Sequence, residues 1–171
     1  WFIGLPGTGK TLLLYDLAMK LSGRQKVCLI HCGRVGKEWR ILHERLRRID
    51  YLSDEQIYEN MDLSEYNGVL IDEAHLLSEE NLQMILQACG QQPVIFSSDC
   101  EDMISPEELD QNTVKAMRHL PEMQTYHLTN RIRTNAELSS FIQNMMHLPK
   151  QRYTRNYPHI TVFYANDEIE A

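Results

Sequence analysis

Two groups of residues have the types and spacing needed to handle a nucleoside triphosphate. The first is Gly4-Leu5-Pro6-Gly7-Thr8-Gly9-Lys10-Thr11. It fits G-x-x-x-x-G-K-[ST], a pattern with a mechanical reason at each fixed position. Gly4, Gly7 and Gly9 allow backbone conformations that a Cβ forbids, so the loop through Pro6 and Thr8 can turn its N–H groups onto one anion. Lys10 brings a mobile ammonium to the β- and γ-phosphates, and Thr11 offers its hydroxyl to Mg²⁺. The second group is Asp72-Glu73, two adjacent carboxylates after the apolar run Val69-Leu70-Ile71. Asp72 suits the Mg²⁺ shell, and Glu73 suits polarising a water for attack on phosphorus.

Both groups need a rigid frame. Trp1-Phe2-Ile3 reads as a short strand feeding the loop, and Thr11 to Met19 as a helix whose N-terminal dipole faces the anion. Val27 to Ile30, Val69 to Asp72, Pro93 to Ser97, Thr125 to Leu128 and Ile160 to Tyr164 read as further strands. Helical patterns cover Lys37 to Ile49, with Ile41, Leu42, Leu46 and Ile49 on the buried side, and Glu79 to Ala88 after Ser78. Ser105-Pro106 and Thr134 open two more helices with capping boxes, the second running to about His147. Asp50 to Asn67 reads as loop with a short helix near Glu55 to Tyr58. Buried strands alternating with helices predict an α/β fold with a mostly parallel sheet covered on both faces. Such sheets place ligands at the carboxyl ends of their strands, where both groups fall.

The chain has 171 residues, 43% hydrophobic and 24% charged, enough for one domain with a full core. It opens without Met on a three-residue strand, which suggests a piece of a longer protein. No apolar run is long enough to span a membrane and no signal-peptide pattern occurs. Cys28, Cys32, Cys89 and Cys100 form no C-x-x-C pair, so Cys28 and Cys32 beside His31 read as strand thiols, in keeping with a reduced, cytoplasmic setting. The net charge of −7 is unevenly spread. Residues 1–50 carry +6, residues 51–110 carry −15 with no Lys or Arg, and the rest carries +2. One face could meet phosphate while another repels it.

In their order, these motifs resemble the first RecA-like domain of superfamily 1 helicases, and most closely the bacterial schlafen-type DNA/RNA helicase-like family. The resemblance implies a three-layer RecA-like P-loop NTPase that takes ATP and Mg²⁺. It covers nearly the whole chain. Residues 1–149 would be the ATP-binding domain, truncated at its N-terminus, and 150–171 a linker and the start of a second RecA-like domain. His31-Cys32-Gly33-Arg34-Val35-Gly36-Lys37 falls where that superfamily contacts single strands, so His31, Arg34 and Lys37 are the candidate nucleic-acid contacts. Trp39 could stack on a base or belong to the core. Asp99 falls in the motif III slot and would join the nucleotide site. Leu128-Thr129-Asn130-Arg131-Ile132-Arg133-Thr134 resembles motif IV, which makes Arg133 the residue that reaches the γ-phosphate. Arg131 competes for that role, and pairing with Glu137 is the purely structural alternative. Two departures stand out: Asp102 replaces the motif III glutamine, and Arg131-Ile132 replaces the usual Asn/Gln and aromatic pair.

The expected function is an ATP-binding and hydrolysing core of a helicase-like motor on single-stranded DNA or RNA, which moves strands only as part of a fuller protein. Two alternatives stay open. One is a nucleotide-switched ATPase with a protein partner docked on the acidic region. The other is a module that binds ATP with little turnover. No membrane role is expected.

Overall fold

Alternation within the apolar runs sends successive side chains to opposite faces of the sheet, and this builds two separate cores. The computed structural model describes residues 1–34, 41, 44, 46–99 and 113–129, within a unit spanning Trp1–Asn130. Strand β1 is Phe2–Gly4, β2 Val27–His31, β3 Ile49–Ser53, β4 Val69–Asp72, β5 Val94–Ser98 and β6 Tyr126–Leu128. In β2, Val27 and Leu29 enter one core, while Cys28 and Ile30 enter the other. Leu70 of β4 joins the first, and Val69 and Ile71 the second. Strands buried on both faces must be apolar throughout, which is why β2 and β4 read as unbroken runs.

The six strands are ordered β3-β2-β4-β5-β1-β6, and every neighbouring pair is parallel. Helix α1 (Lys10–Leu21) covers the first core with Leu14 and Ala18, one helical turn apart. Helix α2 (Glu79–Cys89) covers the second with Leu82, Ile85 and Cys89, joined by Val114 and Met117 of α3 (Thr113–Arg118). This is the expected three-layer α/β arrangement, a RecA-like fold. Burial of each Leu, Ile, Val or Met among them contributes roughly 1.5–3 kcal/mol. Ser78 caps α2 as expected, its Oγ accepting from the Asn81 N–H at 3.1 Å. Among the described residues no helix is long and apolar enough to cross a membrane.

The stretch between β2 and β4 departs from expectation. The helix expected through Ile49 has ended by Leu46; Arg47 and Arg48 turn, and Ile49 begins β3. Ile41 is helical but 49% exposed, so it does not mark a buried side. β3 went unread because only Ile49 and Tyr51 are buried on this edge strand, leaving Asp50 and Ser53 to break the apolar run. The short helix expected near Glu55 to Tyr58 is a single 3₁₀ turn over Asp54–Gln56, closed by a capping box between Ser53 and Gln56. The helices expected from Ser105 and Thr134 begin, and the strand from Ile160 lies wholly, outside the described residues.

Candidate nucleotide-binding site

The loop between β1 and α1 takes its shape from its glycines. Gly7 and Gly9 have φ of 80° and 89°, the left-handed region that penalises any Cβ. Gly4 is fixed by contact instead: a Cβ there would lie 2.6 Å from Thr8 Oγ1 and 2.8 Å from the Leu128 carbonyl oxygen. Pro6 sits at the exposed tip, and the Thr8 hydroxyl donates back to the Leu5 carbonyl at 2.8 Å. Lys10, the first residue of α1, is only 6% exposed. Its ammonium donates to the Gly4 carbonyl at 2.9 Å, the Leu5 carbonyl at 3.3 Å and Asp99 Oδ1 at 2.6 Å.

Asp72 ends β4 and is 1% exposed. One carboxylate oxygen accepts from the Ser97 hydroxyl of β5 at 2.5 Å. The other lies 3.5 Å from His31 Nδ1, on the residue that pairs with Asp72 across the β2–β4 ladder. Burial pushes the Asp72 carboxyl up, but hydrogen-bonding groups of His31, Ser97 and Thr11 outweigh it and hold the group below its ordinary value. The same contact, opposed by burial, raises His31. Asp72 Oδ2 is buried and accepts no hydrogen bond of good geometry. A deprotonated oxygen left in that state, with the Thr11 hydroxyl nearby, fits the donor set of a hydrated divalent cation.

Glu73 is the next residue, and its backbone is left-handed, with φ 54° and ψ 40°. That conformation costs a non-glycine residue about 1–2 kcal/mol. It turns the chain sharply out of β4 into a 3₁₀ turn (Ala74–Leu76). Burial first, then the charges of Asp72 and Asp99, raise the Glu73 carboxyl above its ordinary value, against the pull of His75 and Lys10. His75 Nδ1 accepts the Asp99 backbone N–H at 3.3 Å and lies 3.7 Å from Glu73 Oε2. Glu73, His75 and Asp99 bring ligand atoms within 4.8 Å of one another.

A family model for the schlafen group 3 DNA/RNA helicase domain matches residues 2–170. The chain belongs to that family. Solved structures of the large terminase from a thermophilic bacteriophage share the fold: one crystal form matches with a TM-score of 0.54 at 14% identity, over 84% of this chain and 44% of the terminase. The terminase in complex with ADP matches with a TM-score of 0.51 at 13% identity, again over 84% and 44%. The schlafen-type chain therefore spans less than half the length of these structural relatives. Comparison with curated proteins finds no match.

The schlafen-type fold thus brings Lys10, Thr11, Asp72, Glu73 and Asp99 to the carboxyl edge of the three neighbouring strands β4, β5 and β1. His31, expected as a nucleic-acid contact, lies against Asp72, whereas Arg34 is exposed beyond the end of β2. Lys37, Trp39, Asp102, Arg131 and Arg133 lie outside the described residues, as do residues 150–171 and Cys100. Cys28 and Cys32 are buried; burial first, then the Asp50 and Cys89 charges, push the Cys28 thiol up to about 12. Two contributors went unassigned in the sequence. Asp-Glu-Ala-His gave a signal for His75, but Ser97 is visible only through strand register, one step beyond the Ile71–Phe96 pair.

Proposed function

We propose that this chain is the ATP-binding and ATP-hydrolysing core of a helicase-like motor that acts on single-stranded DNA or RNA. The observation that carries the reading is the meeting of Lys10, Asp72, Glu73 and Asp99, from three separate turns, around one glycine-shaped loop. In this reading the loop from Gly4 through Pro6, Gly7, Thr8 and Gly9 wraps the phosphates with its N–H groups. Lys10 neutralises the β- and γ-oxygens. Thr11 and Asp72 hold Mg²⁺, which supplies charge stabilisation on the phosphates. Glu73 accepts a proton from the attacking water; its upward-shifted carboxyl is a stronger base than an ordinary glutamate. His75 holds the Asp99 backbone, which links the hydrolytic turn to the residue facing Lys10. Arg133 is assigned the γ-phosphate by its place in motif IV.

The exposed Arg34, with Lys37 and His31 in the same segment, is assigned to the nucleic-acid strand. His31 in that segment touches Asp72 directly, so strand binding and the metal carboxylate share a side chain. The test is ATP turnover by the full-length protein with and without single-stranded DNA and RNA. Stimulation of about tenfold or more by either strand is expected, and Arg34→Ala should reduce it. Turnover indifferent to both strands would overturn the motor reading and leave a nucleotide-switched ATPase with a protein partner. An absence of turnover with ATP still bound would leave a binding module.

A further inference from the structure

An ammonium has three protons to donate, and on Lys10 all three have acceptors within the protein. Two acceptors, the carbonyls of Gly4 and Leu5, belong to the loop that Lys10 itself closes. They hold the side chain in place whatever else it meets. The third acceptor is different. Asp99 comes from 89 residues away, at the end of β5, and makes the shortest of the three contacts at 2.6 Å. The pair is largely removed from water, with Lys10 at 6% and Asp99 at 18% exposure. A carboxylate oxygen there offers Lys10 what a phosphate oxygen would offer: a negative acceptor at hydrogen-bond distance.

We infer that Asp99 is a stand-in for phosphate on Lys10, an autoinhibitory contact that a nucleotide must displace before the loop can grip it. This rests on the reading of the loop as a nucleotide site and adds to it a specific exchange. The incoming phosphate takes the third proton of Lys10, and Asp99 gives it up. Exchange explains why a lysine can stay buried without nucleotide: its charge is never left unpaired in a poorly solvated place. It also makes binding report itself. Asp99 is tied through its own N–H to His75, whose ring stands 3.7 Å from Glu73, so a displaced Asp99 carboxylate alters the field on the hydrolytic glutamate. The charge of Asp99 is among those that already raise Glu73.

The contact predicts a sign that a ligand residue would not give. If Asp99 held the nucleotide, Asp99→Asn would weaken binding. As a competitor, its removal should tighten ADP binding about tenfold, the worth of one charge-assisted hydrogen bond. Simple repulsion between Asp99 and phosphate would also tighten binding, and a double-mutant cycle separates the two. ADP affinity is measured by calorimetry for the wild-type chain, Asp99→Asn, Lys10→Met and the double variant, each checked for folding by its thermal transition. The gain from Asp99→Asn should shrink to twofold or less in the Lys10→Met background. An equal gain in both backgrounds, or weaker binding by Asp99→Asn, overturns the inference.

A second measurement needs no variant. In the wild-type chain, NMR signals of the Lys10 ammonium and the Asp99 carboxyl carbon should shift together as ADP is added, with one dissociation constant. ADP binding with an unmoved Asp99 signal overturns the exchange alone. Absence of both ADP and ATP binding by the folded wild type overturns the nucleotide reading, and the exchange with it.

Discussion

The loop after β1 and the turn after β4 leave the same edge of one sheet, on either side of β5, yet they are built in opposite ways. Both need left-handed backbone. The loop supplies it with Gly7 and Gly9, at little cost, whereas the turn supplies it with Glu73. Lys10 has an acceptor for each of its protons. Glu73 faces Asp72 and Asp99, both acids, and its nearest described cation-forming group is a histidine nitrogen that already accepts a hydrogen bond. The loop is thus at rest and the turn is under load. That division suits their proposed tasks, because a grip should be stable when empty, while a general base gains reach toward neutral pH from an environment that resists its ionisation.

The largest effect expected from this contrast is chemical. Glu73→Gln keeps the size and the turn but removes the base, so ATP turnover should fall by about 10²–10⁴-fold. ADP affinity should stay within a few fold, because the loop proposed to grip the phosphates is untouched. Phosphate-release kinetics alongside ADP calorimetry check both halves. Turnover that survives the substitution would remove Glu73 from the chemistry and leave its strain without a function. The complementary break is Gly9→Ala. A φ of 89° at the head of α1 is open to glycine, and a Cβ there adds at least about 1–2 kcal/mol. The expected outcome is ADP binding weakened about tenfold, together with a lower thermal midpoint. Equal binding by the variant would mean that the loop tolerates strain as the turn does, and the contrast would fail.

The two regions also differed in how much of each the sequence revealed. The loop was legible because every fixed position has a local reason: a glycine where φ is positive, a lysine and threonine at a helix start. The fully buried strands were legible too, since Val27 to Ile30 and Val69 to Ile71 cannot admit polar residues. β3 was not, because its edge position lets Asp50 and Ser53 interrupt Ile49 and Tyr51, which the preceding helical pattern then absorbs. The contacts that tune the turn lay deeper still. Ser97 and His31 reach Asp72 because β5 and β2 flank β4 in the sheet, an order that chain position does not disclose. The Lys10–Asp99 pair likewise exists because β1 lies beside β5. Local chemistry can be read from spacing, whereas partners across strands require the topology.

The smallest expected effect separates the two loads on Glu73, charge and backbone. Its carboxyl is raised from 4.5, so the folded chain holds that proton more tightly than the unfolded one. Stability from this linkage is present below about 4.5 and is lost as the pH rises through the folded value. Above that value the ionised side chain opposes folding, and glutamine removes the opposition. Glu73→Gln should therefore raise the thermal midpoint at pH 8 by only about 1–3 °C, because the side chain is 32% exposed and solvent screens it. The gain should vanish near pH 4.5. Glutamine keeps the left-handed backbone, so the conformational cost remains. Glu73→Gly relieves both loads, and its advantage over Glu73→Gln should be the same at pH 4.5 and pH 8. If Glu73→Gly instead shows no advantage over Glu73→Gln at either pH, the strain lies in the carboxylate rather than the backbone, and the left-handed turn at Glu73 is as relaxed as the glycine loop across β5.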